Sequence, residues 1–301
     1  MALTAAPAEA SPSPTVLTVG ESLFDSLPSG LFLGGAPLNV SVHAAQLGLN
    51  AAVATRVGDD ALGEEIVFRL ACRGVDTSLV QVDPARRSGL VRVVMKGSEP
   101  TYTILDGAWD FLEASEELLA AAAAADAVVF GSLAQRNPAA RAAITQLAAT
   151  SRKAVFDANF RPPHVDASVI NGCARTCWLL KLNEAEAAQV AAWTPELASH
   201  TGSSAAMAAL LGTHFQCHCV VTLGGDGAAL FLLGRGTWTH RGCPVTAIDA
   251  VGAGDAFLAS LLRGLLLDEA RHMLYFSYHM LTHPCRSPGP YWPAPTRREP
   301  L

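Results

Sequence analysis

Two short segments carry residue types and spacings suited to chemistry on an anion. The first, Asp249-Ala250-Val251-Gly252-Ala253-Gly254-Asp255-Ala256-Phe257, runs into the apolar stretch Leu258–Leu267, which suits a helix. Three small residues ahead of a helix leave its first N–H groups open to an anion, and the helix dipole adds partial positive charge there. A carboxylate at Asp255 is misplaced beside a bound phosphate unless it moves a proton. As a general base it would take one from a hydroxyl while the N–H groups hold the transferring phosphoryl group. The same residues also fit a glycine loop in which Asp255 merely caps the helix. A dinucleotide fingerprint fits worse, because Phe257 stands where a small residue is needed. The second segment is Gly34-Gly35-Ala36-Pro37-Leu38-Asn39-Val40-Ser41, with Gly48 and Gly58 behind it. Its double glycine permits close approach of backbone to a ligand, and Asn39 can both donate and accept toward a hydroxyl.

The rest of the chain must position these segments. Val16–Val19, Ala51–Val57, Ala127–Phe130, Ala154–Phe156, Cys177–Leu180 and Cys219–Leu223 read as buried strands. Asn39–Leu47, Leu62–Arg73, Ala139–Thr150, Glu184–Ala192 and Ser204–Leu211 read as the helices that cross between them, and Ala120–Ala125 as part of another. That alternation predicts a mostly parallel α/β sheet covered on both faces. Gly89–Lys96 and Thr101–Leu105, separated by Gly97-Ser98-Glu99-Pro100, predict a hairpin that joins Leu31–Leu33 in a small antiparallel sheet suited to covering a substrate.

Composition narrows the function. Of 301 residues 50% are apolar and 16% charged, enough for a large core. The 21 basic and 27 acidic residues leave a net charge of −6, which excludes the basic footprint of a nucleic-acid binder. None of the three lysines, Lys96, Lys153 and Lys181, stands in a P-loop context. No stretch approaches the ~20 apolar residues of a membrane span, and seven scattered cysteines suit a reducing compartment. A cytoplasmic protein is expected, a short plastid-type extension being the alternative. His214, Cys217, His218 and Cys219 lack a second pair at zinc-ligand spacing, and Cys173 and Cys177 have CxxxC rather than redox CxxC spacing, so all are expected to pack.

Together the two segments resemble the paired signatures of the PfkB, or ribokinase-like, carbohydrate kinases, in the family's order. Further likenesses are Gly20-Glu21-Ser22-Leu23-Phe24-Asp25, Asp157-Ala158-Asn159-Phe160-Arg161 as DxNxR, Asn183-Glu184-Ala185-Glu186 as NxxE, and the run Val221 to Ala228. Tyr102, Ala108-Trp109-Asp110 and Gly131-Ser132-Leu133-Ala134-Gln135-Arg136 look most like the fructokinase branch.

The resemblance implies a three-layer α/β/α domain with a small antiparallel β lid, and ATP-dependent phosphorylation of a sugar, fructose before others. It implies Asp255 as base, with Gly252, Ala253 and Gly254 as anion hole. Asp25, Gly34, Gly35, Asn39, Tyr102 and Arg161 would hold sugar, with Arg161 also reaching phosphate. Asn159, Asn183, Glu186, Thr222, Gly224 and Gly227 would serve the nucleotide, Glu186 holding Mg²⁺ through water, and Asp249 would bind K⁺. It also implies a homodimer through the lid. Domain bounds follow as an Ala/Pro/Ser extension over 1–15, a kinase body over 16–267 with lid strands near 22–33 and 89–105, and an atypical proline-rich tail over 268–301. Because that tail replaces helices the family normally supplies, a silent sugar-binding or partner-binding member is the second expectation, and a nucleoside kinase the third.

Overall fold

The computed structural model describes residues 12–27, 30–96, 99–198, 202–242 and 252–267. A nine-stranded sheet forms its centre. In spatial order its strands are β13 (Gly236–His240), β12 (Ala228–Leu232), β11 (His218–Thr222), β10 (Leu179–Asn183), β9 (Ala154–Asp157), β8 (Ala127–Gly131), β1 (Thr15–Val19), β4 (Asn50–Gly58) and β5 (Val80–Asp83). All pairings are parallel except β11–β12 and β12–β13. The mostly parallel α/β sheet read from the sequence is therefore present.

The faces divide by alternation, since successive strand residues point to opposite sides. Val16, Val129, Val155, Leu179 and Val220 pack with Val40 and Ala44 of α1 (Ala36–Gln46) and with Phe257, Leu258, Leu261 and Leu262 of α8 (Ala253–Leu266). Leu17, Val128, Phe156, Leu180 and Val221 face the other way. They pack under α3 (Glu116–Ala124), α4 (Pro138–Thr150), α5 (Ala167–Thr176), α6 (Glu184–Ala192) and α7 (Ser204–Phe215). A third cluster joins Ile66 and Leu70 of α2 (Ala61–Ala71) to Val53, Val57 and Leu38. The helices thus form two layers around the sheet, and α1 and α8 lie side by side, Arg263 Nε donating to Leu47 O at 3.2 Å.

The small sheet has four strands in the order β3 (Gly30–Gly34), β2 (Leu23–Leu27), β6 (Gly89–Lys96) and β7 (Glu99–Ile104). Its β2–β3 and β6–β7 pairings are antiparallel, and β2 joins β6 in parallel. Glu99 and Pro100, expected in the turn, belong to β7, paired with Lys96 and Met95. β10 starts two residues later than expected, because the chain through Cys177 still closes α5, its N–H bonded to Cys173 O at 2.9 Å. Neither α5, which buries only Ile170 and Ala174, nor the β12–β13 hairpin was expected from the residues.

Candidate active site

The site lies where α1 and α8 begin, beyond the carboxyl ends of β1, β9 and β10 and beside the small sheet. The α1 turn is fixed by close packing. Gly35 has φ +113°, and a Cβ there would lie 2.5 Å from Glu21 O. Lacking a side-chain cap of its own, α1 receives one from Glu21, whose Oε1 accepts from Ala36 N at 3.2 Å. A Cβ on Gly34 would lie 2.8 Å from Asp25 Oδ2, so that glycine makes room for the carboxyl group. Gly34→Ala is accordingly expected to displace Asp25 and raise the sugar KM about tenfold, ~1.4 kcal/mol, with little change in kcat; initial-rate kinetics check this.

The α8 turn corrects one sequence alternative. Its N-cap is Gly252, at φ +77°, with no side-chain capping bond, and Asp255 stands in the first turn of the helix. Asp255 is 8% exposed and accepts a hydrogen bond from Asn39 Nδ2 at 2.8 Å. This single contact, 216 residues apart in sequence, ties the two helix N-termini together.

Acidity follows from burial. Asp255 is pushed up to about 7, mainly by burial and then by the charge of Asp157, against the opposing pulls of Asn39, Lys181 and Arg161. Glu21 rises to about 7, and Asp25 to about 6, again chiefly through burial with Arg161 opposing. The charge of Arg161 thus acts on three carboxyl groups. The loop that carries it turns through Asn159, held at φ +39° in the left-handed region that asparagine tolerates.

Glu186 is 6% exposed, and both of its oxygens are engaged. Oε1 accepts from Phe160 N and Oε2 from Asn183 N, each at 2.8 Å, while Asn183 Oδ1 accepts from Glu186 N at 2.9 Å. This capping box opens α6. Among the described residues no three His, Cys, Asp or Glu side chains converge as metal ligands. Each Glu186 oxygen keeps a second lone pair beyond its backbone bond, which suits a hydrated ion approached through water.

Thr222 Oγ1 donates to Leu182 O at 3.4 Å. Gly224 and Gly225 have open space over the position of a Cβ. Gly227 has a packing reason to be glycine, since a Cβ there would collide with His240 O. Tyr102 lies on β7 opposite Val93, its side chain outside the described set. Asp249 and the tail lie outside the described residues. Cys177, Cys217 and Cys219 are free and buried among apolar side chains, as expected, and His218 Nδ1 accepts from Leu233 N at 2.9 Å.

Sequence reasoning missed Lys181, which is 6% exposed and bonds both Asp157 oxygens at 2.8 Å. A lysine set among leucines in Leu179-Leu180-Lys181-Leu182 was the available signal. Glu21 and Asp157 were visible only as motif letters.

A mostly parallel α/β sheet, a small second sheet and a buried carboxylate at a helix N-terminus suit a phosphotransferase that acts on a hydroxyl, and a family match gives that class. A family model described as pfkB family carbohydrate kinase matches residues 30–272. The chain belongs to that family. It is 32% identical to a fructokinase of Klebsiella pneumoniae over 264 residues, 83% of this chain and 84% of that one. It is 30% identical to a fructokinase of Escherichia coli over 271 residues, 84% and 85%. Among solved structures, a double-mutant fructokinase of Vibrio cholerae in its fructose-, ADP- and potassium-bound form matches at a TM-score of 0.73 and 24% identity, over 91% of this chain and 90% of that one. A Pyrococcus horikoshii sugar kinase in complex with ATP matches at 0.72, also 24% identical, over 89% and 91%. These likenesses establish the ribokinase-like fold. Among the described residues no helix is long and apolar enough to cross a membrane.

Proposed function

We propose that this carbohydrate kinase transfers the γ-phosphoryl group of ATP to a hydroxyl of a monosaccharide, fructose at O6 or O1 before others, within a body spanning residues 16–267. The observation that carries the reading is the buried Asp255 carboxylate at the start of α8, held by Asn39 from the start of α1. Relatives named fructokinase at about 30% identity support the choice of sugar.

In this reading sugar hydroxyls meet Asp25 and Asn39 beneath the small sheet, with Tyr102 on its β7 strand. Asp255 takes the proton of the attacking hydroxyl as the oxygen–phosphorus bond forms and the bond to the leaving ADP oxygen breaks. Its raised affinity for a proton, near neutrality, suits that exchange. The N–H groups of the Gly252–Gly254 turn and the Arg161 guanidinium hold charge on the transferring group. Thr222, Gly224 and Gly227 flank the nucleotide, with Asn159 and Asn183 toward its phosphates. Bound with the nucleotide, Mg²⁺ would neutralise phosphate charge, and Glu186 would orient its waters through lone pairs left by the backbone bonds. Asp249 is our candidate for K⁺. We place the protein in the cytoplasm and the dimer contact on the small sheet.

The test is ADP release across a panel of ketoses, aldoses and nucleosides. Saturable turnover with fructose is expected. Turnover of adenosine alone would replace the assignment with a nucleoside kinase, and binding of fructose without turnover would replace it with a silent sugar-binding member.

A further inference from the structure

We propose that Lys181 is a positioning residue of the phosphoryl-transfer site, its ammonium held by Asp157 beneath Gly254 as the fixed positive charge under the turn that receives phosphate. The inference deepens the proposed function and rests on its reading of Gly252–Gly254 as that turn.

The placement follows from the strand. Leu180 and Leu182 of β10 face the α3–α7 layer, while Leu179 packs on the opposite face with Phe257 and Leu258 of α8. Two residues on, Lys181 shares the α8 face and reaches the start of that helix. A Cβ at Gly254 would lie 3.3 Å from Lys181 Nζ and 3.9 Å from Cε, so the turn rests on the ammonium itself. Asp157, paired with Lys181 in the β9–β10 register, grips it with both oxygens at 2.8 Å.

Burying an ion pair gains little stability over apolar residues of the same volume, so packing alone gives no reason for this one. Electrostatics does. Asp157, Asp255 and Glu186 all act on Lys181, and with Asp157 they hold it above the ordinary lysine range although burial alone would lower it. The turn is asked to accept a polyanion above Asp157 and beside Asp255. A fixed cation offsets that charge from below, alongside Arg161, and this chain has no P-loop lysine to supply one from the solvent side. Gly254 is glycine, on this account, so that backbone N–H groups and ammonium act on the phosphate with nothing between them.

The experiment compares Lys181→Met, Lys181→Arg, the double variant Asp157→Asn/Lys181→Met, and Asp255→Asn in the full chain. The double variant leaves no stranded carboxylate and guards against a single variant that fails to fold. Lys181→Met is expected to lower kcat by ~10–10², to leave the sugar KM within about twofold and to move the acid limb of the pH profile upward, with partial rescue by Lys181→Arg. A folded double variant with kcat similarly reduced supports the inference. A folded double variant with wild-type kcat, or Lys181→Met that lowers only Tm, would overturn it while an inactive Asp255→Asn leaves the base assignment standing. Asp255→Asn at wild-type kcat would overturn both.

Discussion

Asp255→Asn is expected to lower kcat by ~10²–10⁴, to leave fructose binding by thermal shift intact, and to make the free protein more stable at pH 8. The loss of rate follows from removing the proton acceptor while keeping an amide oxygen that still accepts from Asn39. The wild-type profile should fall on the acid side near pH 7, where Asp255 takes up a proton, and a limb near pH 4 would contradict the buried geometry. The gain in stability has its own sign. A carboxylic acid whose folded proton affinity exceeds its unfolded one, about 7 against an ordinary value near 4, favours folding in acid. That contribution is complete below about pH 4 and is lost as pH rises through 7. Asparagine loses nothing over the same range, so the advantage of the variant grows from pH 5 to pH 8, toward an order of 3 kcal/mol. Thermal unfolding of both proteins at the two pH values reads it directly. A variant that is inactive and also less stable at pH 8 would show that Asp255 serves the fold.

Local backbone geometry at the site was legible in the sequence, and contacts between distant residues were not. Glycines announce backbone geometry, and Gly34, Gly35, Gly252 and Gly254 stood beside apolar periodic runs, so both helices were expected from the residues alone, although α1 begins at Ala36 and α8 at Ala253, ahead of the expected Asn39 and Leu258. What the residues could not show was that Asn39 would meet Asp255, because a contact across 216 positions depends on α1 and α8 packing against one face of the sheet. Lys181 went unread for a related reason. A single lysine in a strand is ordinarily a solvent-facing position, and its value depends on Asp157 arriving opposite it in register. The boundary errors are local. Cys177 and Trp178 look like strand, but the end of α5 claims the Cys177 N–H. The motif letters of DxNxR and NxxE named residues without their partners. Asp157 turns out to hold a lysine, and Glu186 spends both oxygens on N–H groups of Phe160 and Asn183.

Arg161→Met is expected to lower kcat/KM by ~10²–10³, with Arg161→Lys recovering only a small part. The guanidinium is exposed, and of its described contacts the only hydrogen bond is from Nη1 to Phe160 O at 3.0 Å, so little of the fold rests on it. Its pull, however, acts on Glu21, Asp25 and Asp255 together. Removing it leaves those carboxyl groups without the opposing cation, and each should bind its proton more tightly. The acid limb of the profile should therefore move above pH 7, so the measured loss is larger at pH 6.5 than at pH 8.5. Lysine restores the charge but not the planar fork that engages phosphate oxygens in pairs. Correction of the pH limb without recovery of rate is thus the signature expected of Arg161→Lys. Because the residue sits outside the core, Tm of both variants should stay close to wild type, and a collapse of Tm would mean that Arg161 braces the 158–166 loop and does not serve transfer. Wild-type rate with a shifted limb would confine Arg161 to tuning the carboxyl groups and would leave the Gly252–Gly254 turn to carry the transferring phosphate alone.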